Sequence, residues 1–78
     1  MFFHKGKRKV ISIEGMDSEQ CIKKIEMALE NLVDVSRVKV DFKKKYAIIW
    51  YDNTLDEFLL QNTIENLGYI VTGIREDS

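Results

Sequence analysis

The chain is short, with 78 residues, of which 45% are hydrophobic and 32% are charged. This length suits one domain with a modest core and is too short for two. The formal net charge of −1 gives no reason to expect nucleic acid or an anionic membrane as a partner. No apolar run approaches the roughly 20 residues of a membrane span, so membrane insertion is not expected. A single cysteine cannot close a disulfide within the chain, and a cytoplasmic location is predicted.

Residues 1–8 are predicted to form an N-terminal tail, in which Phe2 and Phe3 precede a basic run. The tail is too short and too charged for a signal peptide. Basic runs of this kind are usually solvated. His4 is considered as an additional metal ligand, although a lone histidine in a tail usually has no such role.

A strand is predicted over about 8–14, because Val10-Ile11-Ser12-Ile13 is short, apolar and mostly β-branched. A helix is predicted to follow and to end near residue 32. Its apolar residues recur at helical spacing: Ile22, Ile25, Ala28, Leu29 and Leu32. Residues 15–21 then join the strand to the helix, with Asp17 or Ser18 as the helix cap. This arrangement places Cys21 in the first helical turn.

The rest of the chain predicts two more strands, a second helix and a final strand. In chain order, these are strands at about 35–42 and 46–51, a helix at about 55–67 capped by Asn53 or Thr54, and a strand at about 69–74. Gly68 ends the second helix. The order βαββαβ predicts an α+β fold of the ferredoxin-like type, with two helices on one face of a four-stranded antiparallel sheet. The domain is expected to span 9–74, with 75–78 as a C-terminal tail.

The position of Cys21 has chemical consequences. Unpaired backbone N–H groups and the helix dipole favour negative charge at a helix N-terminus. A thiolate in the first turn would therefore be stabilised. The sequence thus indicates a metal-binding or reactive thiol in this loop.

Gly15, Met16 and Cys21 resemble the Gly-Met-x-Cys-x-x-Cys motif of the heavy-metal-associated domain family, with Ser18 in place of the first cysteine. That family contains small copper chaperones and modules of copper-transporting ATPases. The resemblance extends from about residue 9 to about residue 71 and includes the family's closing Gly-Tyr at Tyr69. It implies the ferredoxin-like fold, metal transport, and copper(I) or another soft metal ion as the cargo.

The resemblance also implies roles for individual residues. Cys21 would be the metal ligand, and Gly15, Met16, Ser18 and Tyr69 would be its neighbours in and around the metal loop, defined here as residues 15–21. Met16 is expected to pack beneath the loop rather than bind metal. A metal-transporting ATPase or another heavy-metal-associated domain is the implied partner.

Ser18 leaves three interpretations open, because a hydroxyl is a poor ligand for copper(I). In the first, Cys21 shares a soft metal with an outside thiol, which a second copy, a partner's cysteine pair or a small thiol could supply. In the second, no metal is bound, and the domain is an interaction or regulatory module. In the third, Cys21 is a redox or nucleophilic thiol, although no adjacent histidine or second cysteine supports this. No enzymatic activity is predicted.

The strand pattern also leaves apolar residues outside the core. Tyr46, Ile48 and Trp50 are expected on the open face of the sheet, together with Val10. An apolar patch on two central strands predicts an interface, covered by the tail or by a second subunit in a homodimer. RNA-recognition modules also expose aromatics on this face, but their glycine-containing signature and positive charge are missing here.

Overall fold

The computed structural model describes residues 7–77 and confirms the predicted βαββαβ order. The elements are β1 (Lys7–Glu14), α1 (Gln20–Glu30), β2 (Val35–Asp41), β3 (Tyr46–Tyr51), α2 (Glu57–Glu65) and β4 (Ile70–Glu76). The strands form one antiparallel sheet in the order β2-β3-β1-β4, so β1 and β3 are central. Within residues 7–77, neither helix is long and apolar enough to cross a membrane.

The core lies between the two helices and one face of the sheet. Side chains on a strand alternate between its faces, so every second residue of β1 and β3 points toward the helices. The fully buried side chains are Ile11, Ile13, Ala47 and Ile49 from the strands and Ile25, Leu29, Leu60 and Ile64 from the helices. The metal loop joins the end of β1 to the start of α1, at one edge of this core.

The start of α1 differs from the prediction. The N-cap position is Glu19, and no side chain caps the helix, so the predicted caps Asp17 and Ser18 are wrong. The chain enters the helix through a tight turn, in which the Cys21 N–H donates to the Ser18 carbonyl oxygen at 3.2 Å. The backbone therefore makes the contact that a capping side chain would have made.

The start of α2 is also later than predicted. Asp56 is the N-cap, and its carboxylate accepts hydrogen bonds from the Phe58 and Leu59 N–H groups at 2.9 and 3.4 Å. The predicted caps, Asn53 and Thr54, are wrong. Asn53 has a φ of 59° and belongs to the turn that follows β3. An acidic cap at Asp56 satisfies two free N–H groups, so the helix begins there.

Both outer ends of the sheet extend further than expected. β1 begins at Lys7, which pairs with Tyr51, and β4 continues to Glu76, which pairs with Lys9. The sequence did not predict these strand ends, because their residues are mostly polar. Pairing with a neighbouring strand keeps them extended even though few of their side chains are apolar.

A buried lysine near the start of β1 was not foreseen. The Lys9 side chain is 9% exposed, and its Nζ lies 2.9 Å from Glu57 Oε2 and 2.9 Å from Glu76 Oε1. The Tyr51 hydroxyl donates to the Glu76 carboxylate at 2.8 Å. Burial alone would lower the pKa of Lys9, but the hydrogen bonds to Glu57 and Glu76 outweigh it and raise that pKa above its ordinary value of 10.5.

The signal for this cluster was the position of Lys9 in the alternating pattern. Lys9 has the same parity as Ile11 and Ile13, both of which point into the core. A charge at an inward position requires partners, because burying an unpaired charge is costly. The partners come from α2 and β4, which are far away in the sequence.

Candidate metal centre

The metal loop joins β1 to α1 and places Cys21 as the second residue of the helix. The Cys21 side chain is 2% exposed and belongs to the hydrophobic core. Its Sγ donates a hydrogen bond to the Ser18 carbonyl oxygen at 2.7 Å. The same oxygen accepts from the Cys21 backbone N–H. Residue 18 therefore lies directly beside the thiol, although its own side chain is exposed.

This hydrogen bond limits what the thiol can do in the observed conformation. A soft cation binds the thiolate rather than the thiol. Loss of the thiol proton would leave a negative sulfur facing the lone pairs of the Ser18 carbonyl oxygen. Binding a metal therefore requires the side chain of Cys21 to turn away from that oxygen or the loop to move with it.

Tyr69 packs against the beginning of the metal loop. A Cβ built on Gly15 would lie 3.5 Å from Tyr69 Cδ1 and 3.8 Å from Tyr69 Cα. Burial raises the pKa of the Tyr69 phenol above its usual value, and the nearby Cys21 and Asp17 side chains raise it further. The phenol therefore stays neutral beside the loop.

Gly15 has a φ of 102°, a conformation that side-chain-bearing residues rarely adopt. We expect Gly15→Ala to lower the free energy of unfolding by about 1 kcal/mol, measured by urea denaturation. Gly68→Ala is the matched control for backbone strain, because Gly68 has the same φ of 102° and a Cβ added there would meet no atom within 4 Å outside the two adjoining residues. Both variants should lose similar stability, because the two glycines have the same positive φ. Unchanged stability in Gly15→Ala would contradict the argument from backbone strain.

The remaining loop residue with sulfur, Met16, is 8% exposed and packs in the core. This agrees with the expectation that it supports the loop from beneath. Residues 7–77 contain no group of three or more His, Cys, Asp or Glu side chains placed to hold a metal ion. His4, the other candidate ligand, lies outside the described residues. Cys21 is therefore the thiol donor that the described loop offers.

The residues expected on the open sheet face are neighbours in the structure. Ile48 pairs with Val10 across β1 and β3, and Tyr46, Ile48 and Trp50 are half-buried. Val10 is only 6% exposed, so the expectation that it is exposed is wrong. Val10 is a small side chain on a central strand, flanked by the larger Ile48 and Arg75. Phe2 and Phe3, suggested as a cover for this face, lie outside the described residues.

Comparison with known proteins now identifies the family. Residues 10–69 match the model of the heavy-metal-associated domain. The chain belongs to the heavy-metal-associated domain family. This match covers both central strands, both helices and the metal loop.

Two relatives and one solved structure illustrate the range of this family. The copper chaperone CopZ of Staphylococcus haemolyticus is 36% identical over 64 residues, which cover 81% of this chain and 94% of that protein. A protein of Archaeoglobus fulgidus, named a probable copper-exporting P-type ATPase, is 32% identical over 62 residues, which cover 78% of this chain and 8% of the ATPase. The solved structure of a CopZ metallochaperone superposes with a TM-score of 0.79 at 26% identity and covers 83% of this chain and 98% of that one. Heavy-metal-associated domains similar to this one thus occur both as small chaperones and within a much longer ATPase.

Proposed function

We propose that this heavy-metal-associated domain binds copper(I), or another soft metal ion, through Cys21 and a thiol supplied from outside the chain, and passes the metal on. The observation that supports this most directly is the position of Cys21 at the start of α1, in the metal loop of a domain whose relatives include copper chaperones. Soft thiolate ligands select copper(I). Binding and transfer, rather than catalysis, is the role that this site would serve.

The need for an outside thiol follows from the residues of the loop. In this sequence, Ser18 stands at the position where the family's motif has its first cysteine. A serine hydroxyl is a hard and protonated oxygen, so it would not replace a thiolate toward copper(I). Two thiolates can approach one copper(I) ion from opposite sides, and Cys21 provides one of them. The second would come from a metal-transporting ATPase, another heavy-metal-associated domain, or a second copy of this chain.

Transfer would proceed by ligand exchange. The thiolate of the partner forms a bond to the copper ion as the bond from copper to the Cys21 sulfur breaks, and Cys21 then takes up a proton. No change in the oxidation state of the metal is required. A reducing cytoplasm would keep Cys21 as a free thiol for this step.

An anaerobic copper(I) titration against a chromophoric chelator tests the proposal. The reduced domain is expected to compete for copper(I), and Cys21→Ser is expected to lose that competition, because the only sulfur in the loop besides Met16 is then gone. Size-exclusion chromatography of the same samples identifies the source of the second thiol. One copper per two chains with dimer formation indicates a second copy, and binding that requires an added cysteine-pair domain indicates a partner.

The alternative is a metal-free interaction or regulatory module. The buried thiol and its hydrogen bond to Ser18 favour this interpretation, because the thiol is already engaged within the domain. In that case the wild-type domain and Cys21→Ser would compete equally poorly with the chelator, with or without an added cysteine-pair domain. That result would overturn the proposal of copper binding.

A further inference from the structure

The face of the sheet turned away from the helices carries an apolar centre with cations on both sides. Ile48 on β3 pairs with Val10 on β1 and with Lys39 on β2, and Val10 pairs in turn with Arg75 on β4. Two residues further along β3, Trp50 pairs with Arg37. We call this surface the cationic face, formed by Arg37, Lys39, Ile48, Trp50 and Arg75, with Val10 buried between Ile48 and Arg75 in the register.

The cations on this face are poorly neutralised within the domain. Arg37 and Lys39 are exposed, and neither forms an ion pair with another residue of 7–77. The Arg37 guanidinium lies 4.9 Å from the centroid of the Trp50 ring, which holds it over the apolar centre. On the other side, the single carboxylate of Asp77 faces Arg75 at 3.5 Å and also Arg8 at 3.3 Å.

This excess of positive charge is local. The whole chain has a formal net charge of −1, so the positive charge of this face is not a property of the chain as a whole. Asp41 lies on the same side of β2 as Arg37 and Lys39, but it pairs with Tyr46 rather than with Ile48 or Trp50, and its carboxylate accepts the Lys44 N–H at 2.9 Å. A binding partner on this face therefore meets guanidinium and ammonium groups around branched aliphatic side chains.

We propose that the cationic face docks an acidic protein segment that carries aliphatic side chains. Carboxylates of the segment would pair with Arg37 and Lys39, and Arg75 would contribute on the opposite side. Guanidinium groups bind carboxylates in a bidentate geometry, which makes arginine effective in such contacts. The aliphatic side chains of the segment would cover Ile48 and the half-buried edge of Trp50. Complementary charge would set the specificity and orientation of the complex.

Other occupants fit the face less well. A second copy bound face to face would bring like charges together, which costs free energy. The N-terminal tail carries Lys5 and leads into Lys7 and Arg8, so it too would bring positive charge to the face. Nucleic acid would need open aromatic rings for stacking, but the Arg37 guanidinium already lies over the ring of Trp50.

The cationic face is separate from the proposed metal site. The helices, including the turn that carries Cys21, pack on the other side of the sheet. Docking here is therefore expected to proceed equally well in Cys21→Ser. This independence allows the two proposals to fail separately.

A peptide-binding experiment tests the inference with the full chain. The probe is a short synthetic peptide that alternates Glu or Asp with Leu or Val. One control peptide replaces the acids with Lys, and another replaces the aliphatic residues with Ser. Binding is measured by Trp50 fluorescence, and amide chemical shifts locate it. We expect the acidic aliphatic peptide alone to bind, to shift β3 and β2 resonances, and to weaken as salt is added.

Charge-reversal variants identify the contacts. Arg37→Glu with Lys39→Glu is expected to weaken binding of the acidic aliphatic peptide by about tenfold or more. Lys23→Glu with Lys24→Glu is the matched control, because it makes the same change in net charge on exposed positions of α1. The control should bind as the wild type does, and thermal unfolding of both variants verifies that they fold.

Several outcomes would overturn the inference. Equal loss in both double variants would mean that only the net charge matters. Shifts confined to the metal loop, or to the cleft of about 340 Å³ between α2 and β4, would place the peptide elsewhere. A change in Trp50 emission on deletion of residues 1–6, without peptide, would indicate the tail as occupant. If the domain dimerises and Arg37→Glu abolishes the dimer, the occupant is a second copy of this chain. If the domain binds single-stranded RNA or anionic vesicles but not the acidic aliphatic peptide, the partner belongs to another class.

Discussion

Ser18→Cys is expected to raise the affinity of the domain for copper(I) by on the order of 10²–10⁴-fold. The Ser18 carbonyl oxygen lies 2.7 Å from the Cys21 sulfur, so residue 18 is already adjacent to the thiol. A second thiolate in the same loop would bind intramolecularly, at a high effective concentration, in place of a thiol that must be recruited from solution. Competition with a chromophoric copper(I) chelator under anaerobic conditions measures the gain. The stoichiometry should also change to one copper per chain.

Ser36→Cys is the control for this prediction. Ser36 is exposed on β2 and donates to the Trp50 carbonyl oxygen, at the end of the sheet opposite the metal loop. This variant has the same number of thiols but cannot bring both to one ion within a chain. An equal gain in the two variants would mean that the extra thiol acts between chains, and the proposed role of position 18 would be wrong.

Lys9→Ala is expected to lower the free energy of unfolding by about 2 kcal/mol at neutral pH. Removing one member of a buried charge cluster leaves its partners uncompensated, which costs about 3–5 kcal/mol when all are buried. Here Lys9 is 9% exposed, but the Glu57 and Glu76 side chains are 51% and 43% exposed, so solvent screening reduces the loss. Urea denaturation measures the change. Arg75→Ala is the control, because that exposed ion pair should contribute less than about 1 kcal/mol.

The same variant makes a prediction about pH. Hydrogen bonds from Lys9 and Tyr51 hold the pKa of Glu76 below its ordinary value of 4.5. The stabilisation from a lowered carboxyl pKa is present above about pH 4.5 and is lost as the pH falls through the lowered pKa. The raised pKa of Lys9 acts in the opposite sense, so its contribution is complete below pH 10.5 and is lost only as the pH rises beyond it. The difference between wild type and Lys9→Ala should therefore be constant from about pH 5 to 10 and shrink outside that window. A difference that grows in acid would contradict the assignment of these partners.

The metal loop shows how far sequence reasoning reached and where it stopped. The apolar spacing of Ile22, Ile25 and Leu29 correctly placed Cys21 in the first turn of α1. The predicted side-chain caps were wrong, because the turn at Ser18 satisfies the helix with backbone contacts that local sequence preferences do not specify. The burial of the thiol and its bond to the Ser18 carbonyl oxygen depend on how α1 packs against the sheet. Those features were inaccessible from spacing alone.

For the open sheet face too, the sequence predicted part of the arrangement and the tertiary structure decided the rest. The alternating pattern correctly grouped Tyr46, Ile48 and Trp50 on one face of β3. The cations beside them come from other strands, Arg37 and Lys39 from β2 and Arg75 from β4, and strand register decides which residues they lie next to. Val10, which the sequence placed on the same open face, is buried in the structure.

The sequence by itself determined the element order, the turn at Gly68 and the position of the cysteine, because these depend on local periodicity and backbone preference. The tertiary structure alone decided which distant charges meet. Lys9 is stable in the core only because Glu57 and Glu76 reach it from elements 48 and 67 residues away in the chain. Electrostatic energy depends on distance in space and on exposure to water, and residues adjacent in sequence specify neither quantity.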